Sequence, residues 1–145
     1  MRFLRVQAII LLFLLGISAT LGAIPLILYP HQKPWQMSQN LLEHSPFNSF
    51  LIPGIVLLVA NGMLCGYVLV ITLRRLPGYD SWVAAQGSVL LGWLVVECIM
   101  IRLVIWPHYL YGAIGLTLLV SGLILRHGRR VSGGTHHTRA DAPPA

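Results

Sequence analysis

The stretch Gln86–Trp106, QGSVLLGWLVVECIMIRLVIW, is apolar throughout except for a few positions, among them Glu97 and Arg102. A helix crosses the hydrocarbon core of a bilayer in about 20 residues, and this stretch is that long. Glu97 is the only carboxylate in any apolar segment. At the centre of a bilayer such a group costs about 2.5–3.5 kcal/mol on insertion scales, so it must face other helices, take a partner or carry a proton. The stretch reads as a transmembrane helix with one costly group, and the rest of the chain repeats the pattern without that group.

Composition agrees. Of 145 residues, 56% are hydrophobic and only 10% charged, with a mean hydropathy of +0.74, which is the balance of an integral membrane protein. The net charge of +6 could suggest a polyanion, but position accounts for it. Arg2, Arg5, Arg74, Arg75, Arg126, Arg129, Arg130 and Arg139 flank apolar segments or lie in the tail, and placing all of them on one side satisfies the positive-inside rule. No basic face with interleaved aromatics is present, so nucleic acid is not an expected partner.

Four spans are predicted, at about 6–29, 50–73, 81–105 and 107–125. After the basic start, the run Val6–Tyr29 extends through IPLILYP, past the 7–15 residues of a signal peptide's apolar core, and is read as a retained first helix with Pro25 near its far end. The polar segment Pro30–Ser49 follows. Within it Met37–His44 is expected to form a short surface helix that buries Leu41 and Leu42 and ends ahead of Ser45-Pro46, because a residue before proline avoids helical geometry. Ser49 is the expected N-cap of the second helix, with Pro53 in its first turn. Arg74-Arg75-Leu76-Pro77-Gly78-Tyr79-Asp80 is a compact basic turn and is assigned to the cytoplasm. The third and fourth helices form a tight hairpin around Trp106-Pro107-His108, with Trp106, Tyr109 and Tyr111 as interfacial anchors. From Val131 the small, polar, proline-containing tail is expected to be disordered. The fold class is therefore all-α: a transmembrane four-helix bundle over 1–130, in the cytoplasmic (inner) membrane with both termini in the cytoplasm.

Several constellations bear on chemistry. On a wheel at 100° per residue, Gln86, Trp93 and Glu97 share a narrow stripe of the third helix, while Ala84, Ser88 and Gly92 form a separate small-residue face. In the second helix Gly54, Gly62 and Gly66 form another such face, which lets helices approach closely. Counted from the outer ends, Glu97 and Asn61 differ in depth by only about 5 Å at 1.5 Å per residue, so they are expected to form a buried hydrogen-bonded pair. Arg102 lies about 140° round the helix from Glu97 and snorkels toward the headgroups. Glu97 then either carries protons or binds substrate in a cavity, or fixes packing through a structural contact.

His31, His44 and His108 are placed at the outer surface, where with Glu43 they could converge on a metal; no histidine is expected deep in a span, as a bis-histidine haem would need. Cys65 and Cys98 differ in depth by roughly 12 Å of helix rise, beyond disulfide reach. There is no C-x-x-C dithiol, phosphate-binding glycine loop or serine nucleophile elbow. No cofactor is expected.

Ser45-Pro46-Phe47 followed by Pro53-Gly54, then Gly92-Trp93 with a polar residue at Glu97, then Trp106-x-His108-x-Leu110-Tyr111, together resemble small four-helix bacterial integral membrane proteins. The resemblance covers about Val6 to Leu125 and implies the four-helix topology; such proteins carry no assigned activity, so it implies no mechanism. A looser similarity to DoxX-type four-helix proteins rests on size and topology.

The leading expectation is a non-catalytic accessory or packing partner within the membrane, whose partners are the lipid bilayer and another membrane protein or a second copy. The alternative is an oligomeric small-solute or proton-coupled permease using Glu97. A third is a redox or metal-binding membrane protein.

Overall fold

The computed structural model describes residues 2–29, 49–101 and 106–134. Met37–His44, His31, Arg102 and the chain beyond Gly134 lie outside these residues, and so do the expectations placed on them.

Four helices make up the described chain: α1 (Arg2–Leu28), α2 (Leu51–Leu73), α3 (Tyr79–Ile101) and α4 (Trp106–Gly134). Each contains a segment long and apolar enough to cross a membrane. This is the architecture of a multi-pass membrane protein, since only structures that satisfy their own backbone hydrogen bonds persist in lipid. Hydroxyls inside the spans follow the same rule by bonding back along their own helices. Thr20 donates to Gly16 O at 2.7 Å and Thr72 to Val68 O at 2.7 Å.

Helix ends depart from the apolar boundaries. α1 begins at Arg2 rather than Val6, and α4 continues past Leu125 through Val131–Gly134. Loss of hydropathy marks where a helix leaves the apolar layer, whereas ending it requires a breaker, and the single Gly128 does not suffice. The cap of α2 is Phe50, with no side-chain hydrogen bond, so Ser49 does not serve as its N-cap. Pro53 still lies in the first turn, where its missing N–H is harmless.

α2 is not a uniform α-helix. Leu58–Met63 forms a π-helical turn, and the N–H of Leu64 returns to Val59 O. Such wide turns are rare and occur often at functional sites. At its far end α2 closes in a Schellman motif: Leu76 N–H donates to Ile71 O at 3.0 Å and Arg75 N–H to Thr72 O at 3.4 Å. Arg75 occupies the left-handed position (φ 54°) where glycine is usual, and Gly78 follows at φ 84°.

The helices pair as two antiparallel hairpins, α1 with α2 and α3 with α4, with sparser contact across the seam between them. Glycines set both close approaches. A Cβ on Gly87 would come within 2.5 Å of Leu119 N and 2.6 Å of Gly115 O, and one on Gly122 would overlap the Ala84 backbone. In the other hairpin a Cβ on Gly54 would meet Leu26 Cβ at 2.8 Å, and one on Gly62 would meet Thr20 Oγ1 at 3.0 Å. A core of Ala8, Leu12, Leu15, Cys65, Val68, Val83, Leu90 and Leu118 joins the four helices. Cys65 donates from Sγ to Leu12 O at 3.2 Å, and both cysteines are free. At the Arg74–Arg75 end, Arg129 of α4 pairs with the buried Asp80 at 3.3 Å and lies 4.8 Å from the centre of the Tyr79 ring, tying the end of α4 to the start of α3.

Candidate functional site

A cavity of about 230 Å³ opens in the seam, toward the end of the bundle where α3 stops and α4 starts. Each long wall is a helical stripe. α1 contributes Leu15, Ser18, Ala19 and Gly22, and α3 contributes Leu90, Trp93, Leu94 and Glu97; both follow the i, i+3, i+4, i+7 spacing that puts residues on one helix face. α2 adds Leu57 and Asn61, and α4 adds Pro107, His108 and Tyr111. Beyond Leu15 the α1 stripe carries only small residues, so space is left that longer side chains would fill.

Polar groups occupy two levels. Near the mouth, Glu97 sits about 6 Å of helix rise before Ile101, the last described residue of α3, at 1.5 Å per residue. It is half-buried, and among the described residues His108 acts on it electrostatically. Deeper in, Asn61 lies about 15 Å of rise from the start of α2 on the same measure. It belongs to the π-helical turn, where the altered winding changes the face its side chain would take on a regular helix.

Asn61 and Gln86 are both fully buried. Gln86 Nε2 donates to Ala60 O at 3.2 Å and to Asn61 Oδ1 at 3.4 Å. The buried polar partner of Asn61 is therefore Gln86, and the expected Asn61–Glu97 pair is replaced by two groups that share a cavity at different depths. Residue type does not disclose the π-helical winding of Leu58–Met63, which sets where Asn61 points.

His108 corrects a sequence expectation. It stays at the α3–α4 end of the bundle, but it is buried, at 9% relative exposure, and lines the cavity. The fourth span is expected to start at Pro107 and does so within one residue, at Trp106; what the span boundary does not disclose is the facing of His108 in that first turn. Tyr111, expected as an interfacial anchor, likewise turns inward, while Trp106 and Tyr109 point outward at 74% and 73% exposure. Among the described residues no group of three histidine, cysteine, aspartate or glutamate side chains converges as a metal site; of the expected metal ligands, His31 and His44 lie outside those residues.

The small-residue faces divide. Gly54 and Gly62 meet α1, and Ala84 meets Gly122 of α4. Gly66 and Gly92 have nothing within 4 Å of an added Cβ, and Ser88 faces outward with its hydroxyl returned to Ala84 O at 3.2 Å. Gly87, Gly115 and Gly122, which hold α3 against α4, were not singled out by sequence. The signal was present as glycine at i and i+7 in the fourth span, but its meaning depends on which face meets a neighbour.

Comparison with protein-family models, with curated proteins and with solved structures finds no match for this chain.

Proposed function

We propose that this chain is a small integral membrane protein that receives a small solute in the seam between its two hairpins, with Glu97 as the proton-bearing group at the mouth. The observation that carries this reading is the cavity itself: it gathers Glu97, His108 and Asn61 from three helices inside an otherwise apolar wall. A concave apolar site with a few converging polar groups is the usual form of a ligand site, and an acid kept within a span despite its cost is a mark of function. The core below Gln86 is packed with Leu12, Cys65, Val68 and Val83. Access from the other side therefore requires the hairpins to part along their sparser seam, which makes a proton-coupled permease the class of protein that fits. In this reading both termini and the Arg74–Arg75 turn face the cytoplasm, in the cytoplasmic membrane.

The test is Glu97→Gln, which keeps the shape and hydrogen-bonding capacity of the side chain but removes the exchangeable charge. In sealed proteoliposomes with a pH-sensitive dye inside, the native chain should pass protons down an imposed gradient, and the variant should lose most of that flux. Equal flux through both chains rules out Glu97 as the proton carrier.

A second reading, an accessory partner packed against another membrane protein or a second copy, is favoured by Gly66 and Gly92, which lie open on the outer faces of α2 and α3. Pull-down in native detergent with mass identification tests it: a chain recovered alone and monomeric counts against any stable partner.

A further inference from the structure

The orientation of the Asn61 amide follows from a chain of hydrogen bonds that begins on the backbone. Ala60 O is a carbonyl and only accepts, so the Gln86 atom that meets it at 3.2 Å is the donor, Nε2. That same nitrogen meets Asn61 at 3.4 Å. A donor needs an acceptor opposite it, so the Asn61 atom there is Oδ1. The Nδ2 group of Asn61 is thereby left as the free end, and it has no hydrogen-bond partner among the described residues although the residue is fully buried and lines the cavity. A buried donor without an acceptor costs about 1–3 kcal/mol. The Gln86 Oε1 acceptor beside it is also buried without a partner among the described residues, but Gln86 does not line the cavity, so the residue of this pair that meets the cavity is Asn61, with its donor end unused.

Resting on the reading of this cavity as a ligand site, we infer that its ligand is a small, uncharged, mostly apolar molecule that presents a hydrogen-bond-accepting oxygen, such as a carbonyl, to Asn61 Nδ2. The walls set the rest of that chemistry. Leu15, Leu57, Leu90, Leu94 and Trp93 offer apolar and aromatic contact, and among the described residues no arginine or lysine lines the cavity to hold an anion. Size agrees as well. An apolar cavity of about 150 Å³ holds one benzene ring, so 230 Å³ accommodates a single substituted ring.

The test compares two probes of one shape, para-fluoroacetophenone, which carries the carbonyl, and para-fluorocumene, which carries a branched alkyl group in its place. Binding to the full chain in lipid nanodiscs is read by fluorine NMR and corrected for partition into protein-free nanodiscs. One hydrogen bond gained at a buried donor predicts that the ketone binds about three- to tenfold tighter than the hydrocarbon. Asn61→Leu should erase that preference, so that the ratio of the two affinities falls to about one. Equal binding of the two probes to the native chain, a comparison that needs no variant, overturns the acceptor assignment and leaves the cavity standing as a ligand site. Failure of both probes to bind overturns the assignment together with the reading of the cavity on which it rests.

Discussion

At the scale of single residues, Gln86 is placed to matter more to the fold than Glu97. Gln86 is fully buried and serves two acceptors on α2, one of them a backbone carbonyl in the π-helical turn. Interhelical hydrogen bonds inside membranes average only about 0.6 kcal/mol, so the bonds themselves are a modest gain. The larger effect is what their loss leaves behind. Gln86→Leu takes the donor from the buried Asn61 Oδ1, which costs about 1–3 kcal/mol, offset in part because it also removes the buried Gln86 Oε1, an acceptor without a partner among the described residues. Thermal unfolding in a mild detergent should show the midpoint of Gln86→Leu several degrees below that of the native chain, with Glu97→Gln close to native. If Gln86→Leu melts with the native chain, the contact across the seam contributes nothing to stability. The two residues share a stripe in the sequence, yet their roles separate: one holds the hairpins together and the other lines what they enclose.

At the scale of helices, glycine positions make opposite predictions for the same substitution. Alanine in place of glycine favours a helix by about 1 kcal/mol when nothing obstructs the new methyl. Gly66 has open space around it, so Gly66→Ala should raise the unfolding midpoint or leave it unchanged. Gly122 lies against the Ala84 backbone, which cannot move aside as a flexible side chain would, so Gly122→Ala should force α3 and α4 apart at a cost of about 1–3 kcal/mol. Matching shifts for the two variants in detergent unfolding would show that α4 does not meet α3 at Gly122. These contacts also show what the sequence could and could not disclose. The four spans were legible because hydropathy summed over a window depends on composition alone. The wheel of α3 correctly separated Gln86, Trp93 and Glu97 from Ala84, Ser88 and Gly92, but a wheel has no absolute direction: only Ala84 of the second set faces a neighbour. The π-helical turn at Leu58–Met63 left no mark in residue type, and without it the facing of Asn61 was out of reach. The inward facing of His108 was out of reach as well: the start of the span at Pro107 was legible, with proline at home in a first helical turn, but not which side of that turn meets a neighbour.

At the scale of the whole molecule, hairpin pairing fixes relative topology, and charge supplies the absolute direction. Consecutive helices run antiparallel, so the start of α1, the Arg74–Arg75 turn and the end of α4 share one end of the bundle, while Trp106 and the mouth of the cavity share the other. Arg2, Arg5, Arg74, Arg75, Arg126 and Arg129 all belong to the first end. Each charge left on the translocated side opposes insertion, and with no arginine or lysine of the described residues at the Trp106 end the bias runs one way. The prediction is that this end faces out. In a chain with Cys65→Ala and Cys98→Ala, a thiol placed by Leu76→Cys lies in the basic turn and one placed by Trp106→Cys lies at the mouth; both positions are exposed. A membrane-impermeant maleimide added to intact cells should label Trp106→Cys at once and Leu76→Cys only after the membrane is opened. The reverse pattern would invert the bundle and place Glu97 toward the cytoplasm, and labelling of both positions in intact cells would refute a single orientation. The direction matters to mechanism as well as to placement: with the mouth outward, the acid and the histidine meet a solute before it reaches the Asn61 amide, and the packed core below Gln86 is the barrier that transport must open.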